Sequence, residues 1–242
     1  MRIADKASKK IGWERNKVML LFGIGHKARQ GKDSFGAYLA EQHGFRVYHY
    51  ADQLKKEAQI AGWNPDNKNE LAHDVIKRAA HELTDPLAKE VVIWYNTNPV
   101  AAKNAHHLTF LQWFGTEFRR AQDSEYWVKT TFQQIRADAN HYNHYRACIC
   151  DMRFVNELLA VKREHGYTFD IRRWRETRTL DSDGYWSPVL TPYIDDERDP
   201  DHPSEVELDG VPHDFTIWAK DLKELYRQAD NIIKYLEAGG TV

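Results

Sequence analysis

The residues of this chain best suited to chemistry lie together near its start, where Gly31-Lys32-Asp33-Ser34 closes a turn that follows the apolar run Val18–Ile24. A glycine-bearing turn leading into a helix directs free backbone N–H groups at an anion, and a lysine ammonium adds a point charge for terminal phosphate oxygens. A nucleoside triphosphate is therefore the first ligand to consider. Its phosphate-binding candidates are Gly25, Ala28, Arg29, Gln30, Gly31, Lys32, Asp33 and Ser34. Asp33 and Ser34 are also candidate contacts for the Mg2+ that offsets phosphate charge. Two positions depart from the usual spacing. His26 stands where the first glycine normally falls, with Gly25 one residue early, and Asp33 replaces the hydroxyl residue that normally follows the lysine. A carboxylate beside a triphosphate is repelled unless Mg2+ lies between them or the side chain turns away. The plain alternative is an ordinary strand-turn-helix with a chance Gly-Lys.

The flanking elements favour the phosphate loop. Val18–Ile24 is continuously apolar, as a strand covered on both faces must be. Lys32–His43 carries Phe35, Tyr38, Leu39 and Gln42 at helical spacing with Gly44 as its cap, and Phe45–Tyr50 reads as a second strand. Strand, loop, helix and strand make a βαβ unit, the context such a loop needs. The order returns as strand Tyr145–Cys150, helix Phe154–His165, cap Gly166 and strand Tyr167–Arg173, and once more as strand Phe215–Ala219 and helix Leu222–Leu236. Residues 51–140 between the two blocks have a helical pattern, broken at Asn64-Pro65, Asp85-Pro86, Asn98-Pro99 and Gly115. The expected fold is α/β: a parallel sheet flanked by helices, with core 18–50 and 145–237 and a helical insertion at about 51–140. Residues 176–213 show little periodicity and hold five of the eight prolines, so a lid-like loop is expected there. Arg172, Arg173, Arg175 and Arg178 lead into it, either to close over a triphosphate or to pair with its acids.

Composition narrows the classes of function. A formal net charge of −2 argues against a surface built for nucleic-acid phosphates. No stretch approaches a membrane span, and residues 1–17 form a polar extension without the apolar core of a signal peptide, so a cytoplasmic protein is expected. Cys148 and Cys150 alternate within an apolar run. Placed on opposite faces of a strand they would not pair readily, which suits a reducing compartment. The twelve histidines show no metal-ligand spacing.

Several blocks in order carry a resemblance: the Gly-Lys-Asp-Ser loop, Tyr50-Ala51-Asp52-x-Leu54-Lys55, Leu111–Glu117 with Arg119, and Asp123-x-x-x-Trp127-Val128. They continue with Cys150-Asp151-Met152-Arg153-Phe154-x-Asn156-Glu157 and His202-Pro203-Ser204-Glu205. Over nearly the whole chain this resembles the phage-type deoxynucleoside monophosphate kinases. The resemblance implies a P-loop kinase-like sheet with a helical acceptor-binding insertion. It also implies Mg2+-assisted transfer of the γ-phosphoryl of ATP to a deoxynucleoside 5′-monophosphate. Lys32, Arg119 and Arg153 are then the catalytic candidates, and Asp52, Lys55, Arg119 and Trp127 face the acceptor. His26 departs from the small residue usual in the family. Asp151, at a strand end, either supports Mg2+ or an arginine, or caps the helix Phe154–His165. Arg119 and Lys55 have plain readings as surface cations, and Trp113 and Trp127 as core. Another small phospho-acceptor (dephospho-coenzyme A-like or a modified nucleotide) and a non-catalytic nucleotide-binding module are the competing functions. Nucleotides are the expected partners, with room for a homodimer through an edge strand or the insertion.

Overall fold

The computed structural model describes residues 18–25, 27, 29–82, 85–142, 144–180, 182–183, 185–193 and 206–241. The expected polar extension 1–17, His26, Ala28 and the block 202–205 lie outside them. The strands are β1 Val18–Gly25, β2 Arg46–Tyr48, β3 His144–Ile149, β4 Tyr167–Leu180, β5 Trp186–Pro192 and β6 Phe215–Ala219. The helices are α1 Lys32–His43, α2 Tyr50–Ile60, α3 Ala72–Glu82, α4 Pro86–Thr97, α5 Pro99–Asn104, α6 Phe110–Trp113, α7 Tyr126–Ala139, α8 Val155–Arg163 and α9 Leu222–Glu237. A π-helix, Phe114–Arg120, continues α6.

The six strands form one sheet in the order β2–β3–β1–β4–β5, with β6 also paired to β4. The pairings β2–β3, β3–β1, β1–β4 and β4–β6 are parallel, and β4–β5 is antiparallel. The sheet is therefore mixed rather than wholly parallel. β1 is apolar throughout because both its faces are covered. Phe22 and Ile24 pack with Phe35 and Leu39 of α1 and Leu225 of α9, whereas Leu21 faces Leu158 and Val161 of α8. Each such side chain, fully buried, contributes roughly 1.5–3 kcal/mol. α1 ends at Gly44 (φ 68°), whose N–H reaches Leu39 O. The insertion packs around Phe110, Trp113, Phe114, Phe118 and Trp127, and its core is continuous with the α8 side of the sheet.

Connectivity places the site. From β1 the chain passes through α1 to β2, beyond β3; from β3 it passes through α8 back across β1 to β4. The connections leave β1 and β3 in opposite directions, so a crevice opens at their carboxyl ends. There Met152 N donates to Ile24 O (3.2 Å) and Cys150 N to Tyr48 O (3.0 Å), lacing the three strand ends together.

Three expectations need correction. Cys148 and Cys150 lie on the same face, 3.9 Å apart at sulfur, because side chains two residues apart in a strand point the same way. The neighbouring thiol and burial push the Cys150 thiol well above its usual range. Residues 176–180 and 186–192 are strand rather than loop. β4 runs on to Leu180 and turns back as β5, and Thr and Val in these strands offset the prolines, which sit where no ladder N–H is needed. The later part of the expected lid, 194–205, lies outside the described residues. After α8 the left-handed residue is His165 (φ 58°), not Gly166; the glycine is needed because a Cβ there would stand 2.8 Å from Leu21 O. No described helix is long and apolar enough to cross a membrane.

Candidate functional site

Among the described residues of the turn between β1 and α1, Arg29 (φ 53°) and Gly31 (φ 102°) are left-handed. Left-handed residues next to helical ones gather successive N–H groups into a concavity for an anion. A side chain at Gly31 would be strained, which accounts for the glycine. Lys32 opens α1 and is buried. The helix dipole opposes a cation at this end, and an anion lodged in the turn reverses that opposition. Asp33 resolves the conflict raised by its charge by turning outward, with its side chain 88% exposed and Oδ1 3.8 Å from His49 Nε2. His49 Nδ1 in turn lies 3.5 Å from Asp52 Oδ2.

Two clefts lie at the carboxyl ends of the neighbouring strands β1 and β3, one at the turn after each. The first, of 510 Å³, lies between Arg29, Gly31, Ser34, Arg173 and the β6–α9 turn at Lys220–Leu222. Gln30, expected as a phosphate contact, lines this cleft, and its side chain braces the turn. Its Oε1 accepts from Arg173 N (2.8 Å) and its Nε2 donates to Tyr193 O (3.0 Å), tying the turn to the middle of β4 and to the residue after β5.

The second cleft, of 180 Å³, lies between α2, the π-helix and the β3–α8 turn, and includes Thr116, Arg120, Asp151 and Arg153. It adjoins a 310 Å³ pocket through Gln112, Thr116 and Phe154. Asp151 caps a helix, though not the one expected: its carboxylate accepts from Tyr50 N (2.7 Å) and Ala51 N (2.9 Å) at the start of α2. Glu157 of α8 is buried below. It accepts from Arg153 N (2.8 Å) and Phe154 N (3.1 Å), and from Arg120 Nη2 (2.5 Å). Burial pushes its carboxyl up to about 7, against the lowering pull of Arg120 and the Arg153 N–H. The Arg120 guanidinium lies 4.0 Å over the Phe154 ring, so a ring and a carboxylate set its orientation.

Arg119 does not line the cleft. Its Nε pairs with buried Glu57 (2.9 Å), and its guanidinium lies 4.8 Å from the centres of the Phe118 and Tyr126 rings. The π-helix accounts for the exchange. It closes hydrogen bonds over five residues, as Ala121 N does to Thr116 O. Arg120, five residues after Gly115, therefore takes the wall position that α-helical spacing assigns to Arg119. Trp127 is 2% exposed and donates to Gly115 O (3.1 Å), so it forms the cleft wall as core rather than as an exposed stacking surface. Asp52 and Lys55 are exposed on α2 and line neither cleft.

The phosphate-loop candidates Arg29, Gln30, Gly31, Asp33 and Ser34 thus share the first cleft while Lys32 is buried behind it, and Arg153 and Asp151 share the second. Among the described residues, no group of three or more His, Cys, Asp or Glu side chains is arranged to hold a metal ion. Sequence reasoning missed Arg120 and Glu157. The signals available were the Arg119-Arg120 pair and a glutamate three residues after Phe154, the spacing of a helix-start acceptor. No family model matches the chain, and no curated protein matches it.

Proposed function

We propose that the protein is a P-loop kinase that transfers the γ-phosphoryl group of ATP to a deoxynucleoside 5′-monophosphate, giving ADP and the diphosphate. One observation carries the reading: β1 and β3 are neighbouring parallel strands, and one cleft opens at the turn that follows each of them. The first is lined by Arg29 and Gly31, both left-handed, at the start of α1, whose first residue is Lys32; the second is lined by Arg120 and Arg153. A protein that only binds nucleotide needs one anion site, whereas transfer needs a second for the acceptor. Phosphoryl transfer is mainly positioning and charge neutralisation, and arginine forks suit the acceptor phosphate. In this reading Lys32 holds the terminal phosphates, Arg153 and Arg120 hold the acceptor phosphate, and Arg119 supports the insertion through Glu57. The Ser34 hydroxyl in the first cleft is a hard oxygen that fits Mg2+, which binds through one or two protein oxygens together with phosphates and would neutralise charge there; Asp33, turned toward His49, would join it only by swinging back.

A coupled assay of ADP release across the four deoxynucleoside monophosphates tests the proposal. Release that depends on at least one of them is expected. Release that answers only to another phospho-acceptor would move the activity to a different P-loop kinase. ATP binding without transfer to any acceptor would leave a binding module.

A further inference from the structure

Beyond Arg173, β4 leaves the parallel sheet and pairs with β5 alone, from Trp174 opposite Pro192 to Leu180 opposite Trp186. Side chains alternate across such a ribbon, so the register sorts its two faces. One face bears Thr177, Thr179 and Ser187. The other bears Leu180 beside Trp186, Glu176 beside Leu190, and Arg178 beside Pro188. On that second face Leu180, Trp186 and Leu190 are 57%, 66% and 51% exposed. A two-stranded ribbon is marginal in water, and leaving its apolar face wet weakens it further.

We propose that this face stacks on the same face of a second copy of the chain, the two ribbons antiparallel about a two-fold axis crossing at the Thr177–Val189 pair. An isologous contact needs a surface that complements itself. Here the axis carries position 176 onto 178, so Glu176 of one copy lies over Arg178 of the other, twice, and Leu190 over Pro188. Glu176 and Arg178 are exposed and have no ion-pair partner among the described residues. Closure of the ribbon over its own nucleotide cleft fits this face less well, because Glu176 repels a triphosphate and Leu180 gains nothing from one. The tip of each ribbon reaches the root of the other, where Arg173 and Tyr193 are bonded to the phosphate turn through Gln30.

Sedimentation of the full chain over a wide range of concentration should give a two-chain mass. Glu176→Arg or Arg178→Glu alone sets like charges together and should weaken association about tenfold or more, whereas the double reversal should restore it. Hydrogen exchange of the unaltered chain gives a reading free of folding defects: amides of residues 174–192 should gain protection as concentration rises. A one-chain mass throughout, ribbon protection independent of concentration, or a double reversal no better than either single one would each overturn the proposal.

Discussion

Replacing Glu157 with Gln should remove a pH dependence of stability that the fold builds in. The carboxyl is 2% exposed, and its pKa rises from an ordinary 4.5 to about 7. Between those values the folded chain keeps a proton that the unfolded chain has released, so raising the pH favours unfolding. The contribution is at its most favourable below pH 4.5 and is lost as the pH rises through 7. At about 1.4 kcal/mol per pH unit, the loss comes to about 3 kcal/mol. Urea denaturation of the wild type and Glu157→Gln between pH 4.5 and 8.5 checks this, because most other titrating groups cancel in the difference. The wild type should lose about 3 kcal/mol relative to the variant across the range, over a fixed offset of about 1 kcal/mol for the lost acceptor. Arg120→Ala should move the transition to higher pH, since Arg120 draws the Glu157 pKa down. Parallel wild-type and variant curves would refute the reasoning: they would mean that Glu157 is ionised throughout, held by Arg120 and two N–H groups.

Lys32→Ala should lower turnover by about 10²-fold or more, about 3 kcal/mol of transition-state stabilisation, in the ADP-release assay; near-normal turnover would remove the lysine from the site. Arg119→Ala and Arg120→Ala should separate stability from function. Without Arg119, buried Glu57 keeps the Tyr126 hydroxyl and Gln53 amide but loses its cation, at a cost of about 3 kcal/mol in urea denaturation. Without Arg120, the acceptor KM should rise about tenfold or more, and the opposite pattern would return the acceptor role to Arg119. Gln30→Ala leaves the Arg173 N–H and Tyr193 carbonyl without this partner, so it should cost about 1–3 kcal/mol and raise the KM for ATP.

Features set by neighbours in the chain were legible before folding. The β1–turn–α1 unit follows from an apolar run, a glycine and helical spacing, and it appears as expected with α1 at Lys32–His43 and Gly44 in a left-handed conformation. β6 and α9 were readable for the same reason. Asp151 was less legible, because its partners at Tyr50 and Ala51 are a hundred residues away and lie on a helix that only sheet pairing brings beside it. The β4–β5 ribbon was hidden because prolines and charges there read as loop until a cross-strand partner is supplied.

The sequence by itself determined that a strand, a glycine-lysine turn and a capped helix stand near the start of an α/β chain with a helical insertion. Those features depend on residues a few positions apart, whose backbone preferences act before any distant contact forms. Tertiary structure alone decided which arginine enters the second cleft, since one extra residue in a π-helix turn moves Arg120 onto the wall and Arg119 into the insertion's core. It also decided that Glu157 is a buried carboxyl group beneath that arginine. Charge and pKa there follow from burial and from partners on other elements, and neither is a property of the local sequence.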